Sequence, residues 1–536
     1  MTSPLFFPSP QRRRVRGEVS KKSPDYNRGT SKKKFLGFFE LREGLRIIFR
    51  FLGTFTERKM LRIYNSMSEK KEDFVPLNGK NVGLYACGMT VYDKPHIGHA
   101  RKEVAIDLIV NYLKYSGFSV TYVRNFTDID DKIIARANER GIDFRALTEE
   151  NIEAFYKAMD ALGLARPDIE PKATAHIGEI IAMVQKLIDK GFAYATPDGS
   201  VYFAVEKFKG YGKLSGRKLD EMISGTRFDV EETKANPLDF ALWKASKPGE
   251  PKWESPWGEG RPGWHIECSA MSTKYLGDSF DIHAGGRDLI FPHHENEIAQ
   301  AECATGKPFA KYWVHNGFLT VEGEKMSKSL HNFITVEDAL KQYHAEVLRY
   351  FMLSTHYRTP IDFSMANLKD TEKKICYFYN TLKTLNQFAA KAAKPVRNEK
   401  AVEFINEFKE AMDDDFNSAR VVAALFNLFK HLNEVLVSKK TRPTPDECAG
   451  FAEAIKEVGG VMGVLLRDPD EITNEIKEIQ LNRYGIKREE IEEMIEKRKA
   501  FRAEKNFEMA DKMREELLEK GISIQDTPNG TEWSFN

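Results

Sequence analysis

The sequence predicts an α/β protein built on a parallel sheet, with the sheet domain interrupted by an insertion and followed by a long helical region. Three observations carry this. "NVGLYAC" (81–87) is a short apolar run of strand length, "HARKEVAIDLIVNYLKYSG" places apolar residues at helical spacing, and "SVTYVRNFT" is again strand-like. Strand, helix and strand in about 45 residues make a βαβ unit, so the strands run parallel and ligands belong at their carboxyl ends. The same rhythm returns at "GWHIECSAMSTKYLG", "FDIHAGGRDLIFPHHENEIAQAECATG" and "KYWVHNGFLTVEGEKMSKS". After Ser329 the pattern is almost wholly helical to about Arg467, and a charged helical tail follows.

Residues 1–59 hold 15 Lys/Arg against 5 Asp/Glu, so a chain of formal charge +1 has a leader at +10 and a body at −9. The apolar stretch "FLGFFELREGLRIIFRFLGTF" is broken by Glu40, Arg42, Glu43, Arg46 and Arg50, which makes a bilayer span costly. This leader reads as a start placed upstream of a true first residue at Met60, as a targeting segment, or as a nucleic-acid-binding tail. Between the two halves of the sheet domain, residues 151–255 form the insertion, with a helix at "HIGEIIAMVQKLIDKG" and a short strand pair near "YATPDGSVYFAV". Downstream, "DDDFNSARVVAALFNLFKHLNE" reads as an acidic cap followed by an amphipathic bundle helix.

Five scattered cysteines, Cys87, Cys268, Cys303, Cys376 and Cys448, lack the short spacings of a disulfide scaffold or a CxxC knuckle, which favours a reducing compartment. Three other motifs carry chemistry. In "HIGH", His96 and His99 flank Gly98 at the first turn of a helix, where backbone N–H groups and the helix dipole favour a polyphosphate. "HIG" at His176–Gly178 lacks the second histidine and reads as structural. In "KMSKS", Lys325 and Lys328 stand three apart after a glycine-containing turn, spaced to meet phosphates as point charges or simply to be solvated. "FPHHENEIAQAE" opens on Pro292, a good first helical residue, and sets His293 and Glu297 at i and i+4 on one face, which is metal-ligand spacing. Cys87 and Cys268, each read at a strand end, have the donor chemistry to complete a tetrahedral zinc site, but spacing alone does not license it, because a buried cysteine is far more often a small hydrophobe.

"HIGH" with "KMSKS" resembles the ATP-binding signature of class I aminoacyl-tRNA synthetases. "CGMTVYDKPHIGH", "NFTDIDDKI", "NPLDFALWK", "GRPGWHIECSAM", "FPHHENE" and "KMSKSL" follow the order seen in cysteinyl-tRNA synthetases, across roughly residues 60–364, and "DTPNGTEW" near the end is similar too. That resemblance implies one Zn2+ on Cys87, Cys268, His293 and Glu297. It implies ATP with Mg2+ at His96, Gly98, His99, Gly285, Gly286, Asp288 and Lys328, and catalysis by His96, His99, Lys325 and Lys328. Thr127 and Trp264 match positions that line a cysteine pocket, and Asp288 one that accepts from ribose hydroxyls. Met89, Ala284 and His331 depart from the residues common there; His331 bears on the mobility of the lysine loop.

The implied layout is a Rossmann-like catalytic domain in two halves (60–150 and 256–335), the connective insertion 151–255 and a stem-contacting junction 336–385. A helical-bundle anticodon-binding domain (386–470) and a C-terminal tRNA-binding region (471–536) complete it. The implied reaction is ATP-dependent activation of L-cysteine and transfer to the 3′ adenosine of tRNA(Cys), by a monomer without membrane attachment and without an editing domain. The expected compartment is the cytoplasm, or an organelle if the leader is a transit peptide. Two other readings are a cysteine ligase that uses an amino-sugar acceptor, which would lack the helical tail of some 200 residues after Ser329, and an inactive RNA-binding paralogue, which need not keep the motifs intact.

Overall fold

A computed structural model describes residues 60–218, 234–326, 332–527 and 530–535. The leader, Lys328 and His331 lie outside the described residues, as does the side chain of Lys325. Among the described residues no helix is long and apolar enough to cross a membrane.

The described residues open with an antiparallel hairpin, β1 (Arg62–Asn65) and β2 (Lys70–Asp73). The predicted βαβ unit follows as β3 (Asn81–Ala86), α1 (Ile97–Tyr115) and β4 (Ser119–Arg124). Helices α2 (Asp131–Arg140), α3 (Phe144–Ala161) and α4 (Ile177–Asp189) lead into the insertion. Its sheet is antiparallel, in the order β5 (Ala193–Ala195), β6 (Val201–Phe203), β7 (Phe240–Ala245) and β8 (Gly260–Pro262). The sequence suggested only the first pair, because "NPLDFALWK" and "GRPG" were read as motif rather than as strand. The core of the inserted unit runs from Ile180, Val184 and Leu187 of α4 to Phe203, Leu242 and Trp243 of the sheet and is continuous with Ile266, Ala270, Ala299 and Cys303 of the main domain.

The main domain resumes with α5 (Trp264–Leu276), β9 (Phe280–Gly286), α6 (Glu295–Thr305) and β10 (Ala310–Asn316). Its four strands lie in the order β10, β9, β3, β4, all parallel, so halves separated by the whole insertion share one sheet. The carboxyl ends of β3 and β9 are central in it, which makes the loops after Ala86 and Gly286 neighbours. A small sheet follows, in which β11 (Leu319–Val321) pairs with β12 (Glu324–Lys325) and with β13 (Ile361–Phe363). Between β12 and β13 come α7 (Val336–Gln342) and α8 (Ala345–Leu353).

Beyond Ser364 the expected bundle is present: α9 (Met365–Ala389), α10 (Glu399–Asp413), α11 (Ser418–Val437), α12 (Pro445–Met462) and α13 (Pro469–Tyr484). The tail then holds α14 (Arg488–Ala503) and α15 (Phe507–Glu519) and ends in a hairpin, β14 (Ile522–Thr527) with β15 (Gly530–Phe535), that the sequence reading left helical. Alternating apolar residues, Ile522 and Trp533 among them, close this hairpin over Leu517, Ile491 and Ile495.

The acidic run read as a helix cap does something else. Asn417 caps α11, accepting from Arg420 N, while the three aspartates before it reach into the sheet domain. Asp413 accepts from Tyr112 OH near the end of α1 (2.6 Å) and Asp414 pairs with Lys71 of β2 (2.6 Å). Asp415, fully buried, accepts from Tyr64 N (2.9 Å), Tyr357 OH (2.8 Å) and Arg358 Nε (2.7 Å). Asp415 and Phe416 both adopt positive φ, 67° and 52°, which turns the chain so that successive carboxylates face different elements.

A second buried cluster ties α1 to β4. Glu103 lies between Arg124 (2.7 Å) and Lys102 (2.9 Å). Burial opposes its ionisation, yet these two cations hold the carboxyl down at about 2. A depressed carboxyl adds stability above its unfolded pKa of about 4.3 and loses it as pH falls toward the folded value. Glu103→Gln is therefore expected to lower stability at pH 7 by about 3–5 kcal/mol and to flatten the acid limb between about pH 4.5 and 2. Urea unfolding at pH 7, 4 and 3 checks this; an equal deficit at all three pH values would mean that the charge of Glu103 is not what stabilises the fold.

Candidate active site and metal centre

The site is assembled at the carboxyl edge of the parallel sheet. His96 is the N-cap of α1 in extended conformation, and its Nδ1 accepts from Gly98 N (3.1 Å) and His99 N (3.3 Å). His99 Nδ1 in turn accepts from His96 N (3.2 Å), so two histidines form a reciprocal capping box. With both Nδ1 atoms accepting, each ring carries its proton on Nε2, and the rings stack at 3.7 Å. Burial, then the neighbouring His96, push His99 well below the usual imidazole range, so it is a neutral donor. This changes the anion site expected from the sequence. The helix N–H groups of Gly98 and His99 are occupied by the His96 ring, which leaves the imidazole Nε2–H groups as the donors. A Cβ on Gly98 would lie 2.9 Å from the His96 ring, so the glycine makes room for the fold-over.

Both ends of the lysine loop are rooted here. Met326 and Phe333 line the same cavity as His96 and His99, and Phe333 meets His96 edge-on at 5.1 Å. Ile97 N donates to Ile334 O (3.1 Å), and Val336 N to Pro95 O (2.9 Å).

The metal-ligating candidates converge beside it. Cys87 directly follows β3, as expected. Cys268 lies in the second turn of α5 rather than at a strand end, and α6 begins at Glu295, three residues after Pro292. His293 stands in the single wide turn before α6, and its Nε2 still lies 3.0 Å from Glu297 Oε1. Cys87 Sγ is 3.7 Å from Cys268 Sγ and 3.3 Å from Glu297 Oε1. The donor atoms of Cys87, Cys268, His293 and Glu297 all lie within 4.8 Å of one another, and all four residues are buried. A tetrahedral ion bound about 2.3 Å from sulfur separates two thiolates by about 3.8 Å, so the observed edges fit a donor set of two thiolates, one imidazole and one carboxylate.

The four groups hold protons unequally: Cys268 and Glu297 are driven toward their ligating forms, Cys87 and His293 toward protonated forms that would each give up a proton to a bound ion. Burial resists ionisation of Cys268, but the Cys87 hydrogen bond and His293 bring its thiol down to about 6; burial and the Cys268 neighbour drive Cys87 well up. His293 rises to about 10 against burial because Glu297 and Cys268 face it. Glu297 is held well below the carboxylate range, against burial, by His283 and His293.

A second grouping, Cys87, His283, His294 and Glu297, is equally compact. His283 Nε2 donates to Glu297 Oε2 (2.9 Å) and its ring stacks on Trp313, so it orients the carboxylate from behind. His294 shares a proton with His315 (2.8 Å), while its Nε2 has no hydrogen-bond partner among the described residues. Sequence reasoning missed this layer of histidines, although "DIHAGG", "HHE" and "VHN" contain it. It also missed Asn125, whose Oδ1 accepts from Gly88 N (2.8 Å) and approaches Cys268 Sγ (3.7 Å). A Cβ on Gly88 would fall 1.6 Å from Asn125 O, so only glycine lets the loop after Cys87 lie on this strand end. Lys102, next to Glu103, donates to Cys87 O (2.5 Å) and fixes the backbone of that ligand.

The other sequence candidates divide. Trp264, 37% exposed, begins α5 and places its indole 4.4 Å from the His293 ring on the cavity wall. Gly286 and Asp288 line the cavity, whereas Gly285 packs against His294. Thr127 is buried, bridged to Thr90 through the backbone, and accepts from Asn125 Nδ2 (3.4 Å). One cavity of about 620 Å³ thus brings together Cys87, Trp264, His96, His99 and Asp288.

Comparison with known proteins places this arrangement. Residues 73–373 match the family described as tRNA synthetases class I (C) catalytic domain, and residues 407–467 match the DALR domain. The Geobacter metallireducens cysteine–tRNA ligase is 53% identical over 483 residues, which cover 88% of this chain and 99% of that protein. The chain belongs to the cysteine–tRNA ligase family. A second relative in that family, from Thermodesulfovibrio yellowstonii, is 50% identical over 487 residues with the same coverage. Among solved structures, Mycobacterium tuberculosis methionyl-tRNA synthetase in complex with methionyl-adenylate shares the fold, with a TM-score of 0.56 and 16% identity over 74% of this chain and 93% of that one. The parallel sheet, the inserted unit and the helical region are therefore those of a class I aminoacyl-tRNA ligase, and the Cys/His/Glu cluster is its candidate metal site.

Proposed function

We propose that this ligase of the cysteine family forms cysteinyl-adenylate from L-cysteine and ATP and then esterifies the 3′ adenosine of tRNA(Cys), with zinc as the ion that fits Cys87, Cys268, His293 and Glu297. The observation that carries this reading is one cavity lined both by Cys87 of the thiol-bearing cluster and by the paired histidines. When bound, zinc supplies a soft Lewis acid that favours a thiolate over the protonated hydroxyl of serine.

The residues of the chain do the rest. His96 and His99 offer two Nε2–H donors to nucleotide phosphates, fixed in place before substrate arrives, so little reorganisation is needed as charge develops. Asp288 offers a carboxylate to ribose hydroxyls, and the exposed indole of Trp264 covers the amino acid beside His293. Lys328, with Lys325 second, meets the phosphates, and Mg2+ accompanies ATP. An apolar pocket separates near-isosteres only modestly, so metal selection removes the need for editing.

ATP–pyrophosphate exchange across the amino acids, with and without tRNA, tests the proposal. Exchange with cysteine alone, without need of tRNA, and esterification of tRNA(Cys) are expected. Exchange with cysteine but transfer to an amino sugar would replace the acceptor, a reading that the DALR match at 407–467 disfavours; no exchange at all would replace the enzyme by a binding protein.

A further inference from the structure

The segment "TDIDDK", Thr127–Lys132, carries three aspartates and one lysine at the mouth of the reaction cavity, and the structure accounts for each aspartate in turn. Asp128 accepts from Thr174 N (2.9 Å) and Thr174 Oγ1 (2.5 Å). Asp130 caps α2 by accepting from Lys132 N (2.9 Å). Asp131 is held by Lys244 (2.6 Å) and by Arg261, both on strands of the inserted sheet. The acids are thus committed to local structure, and Lys132, exposed, lines the cavity with its ammonium 5.7 Å from the centre of the Tyr92 ring, which also lines it.

The cavity's other lysine is committed. Lys102 is engaged by Glu103 and the Cys87 carbonyl, and Asp288 is an anion. Among the described residues, Lys132 is the one lysine or arginine lining the cavity without an ion pair. An ammonium at the rim of a cavity whose wall holds paired imidazole donors favours an anionic ligand group, and the clamping of Asp131 to two strands fixes the helix that presents it.

We propose that Lys132 is a phosphate-contacting residue of this ligase, an inference that rests on the two-step reading above. A phosphate reaches the cavity from two sources, the nucleotide that activates cysteine and the last phosphodiester of the tRNA acceptor end. Lys132→Ala and Lys132→Arg separate them. ATP–pyrophosphate exchange without tRNA reports the first source, and single-turnover transfer from preformed cysteinyl-adenylate to tRNA(Cys) reports the second. Lys132→Ala is expected to slow one of these steps by about tenfold or more, with Lys132→Arg recovering most of the loss because the contact is ionic. If the tRNA is the source, exchange stays intact and the dependence of log affinity on log salt becomes shallower by about one phosphate contact. Thermal unfolding of both variants, monitored by circular dichroism, is expected to match the parent. Both steps within about twofold of the parent would overturn the proposal, as would an arginine variant as slow as the alanine one, which would point to packing rather than charge.

Discussion

Cys87→Ser is expected to lose its bound metal and to activate cysteine at least a hundredfold more slowly, while its preference for cysteine over serine shrinks. The substitution puts a hard, protonated hydroxyl at the point where Cys87 Sγ stands 3.7 Å from Cys268 Sγ and 3.3 Å from Glu297 Oε1. It also leaves the fold's other supports in place, because the backbone there is held by Lys102 and by Asn125 through Gly88. Cys303→Ser is the matched control. That thiol is buried where the core of the inserted unit continues into the main domain, burial raises it to about 12, and it lies outside the metal-donor clusters. Elemental analysis and exchange rates with cysteine and serine compare the two variants. Equal metal content and equal selectivity would reduce Cys87 to a packing residue.

Lys328→Ala is expected to slow adenylate formation by about two to four decades with cysteine affinity nearly unchanged, since the contact is made mainly to phosphates in the transition state. Although Lys328 lies outside the described residues, the ends of its loop do not. Met326 approaches the Gly98 turn, and Phe333, Ile334 and Val336 dock along Pro95–Ile97. The described residues on either side of Lys328 thus flank the paired histidines to which the proposal assigns the phosphates. Pre-steady-state measurement of adenylate formation over a range of cysteine concentrations checks this. Lost cysteine binding with unchanged turnover would put the loop elsewhere.

What the sequence made legible follows from the range of the forces involved. The βαβ unit could be read because helix and strand periodicities are local, and so could the place of "HIGH" at a helix start, but the histidine cap that takes up the Gly98 and His99 N–H groups was not foreseen. The i, i+4 relation of His293 and Glu297 held although the helix itself starts at Glu295, because the preceding turn keeps the two side chains on one side. The helical setting of Cys268 was missed because strand β8 ends just before α5 and the short turn between them leaves no periodic signal. Asn125, Gly88 and the histidines behind Glu297 were invisible for another reason. Their meaning lies in contacts between β3, β4, β9 and α6, which only the closed sheet brings together. The aspartates before α11 looked like a cap by local rules, and long-range partners on α1, β1 and β2 overrode that preference.

The central claim is that a metal held by Cys87, Cys268, His293 and Glu297 selects the substrate thiol. Its most direct test is the ratio of cysteine to serine activation in ATP–pyrophosphate exchange, measured on the protein as purified, after chelation, and after reloading with zinc. Chelation is expected to collapse the ratio and zinc to restore it, with one equivalent bound per chain. A ratio that survives complete removal of the metal would contradict it.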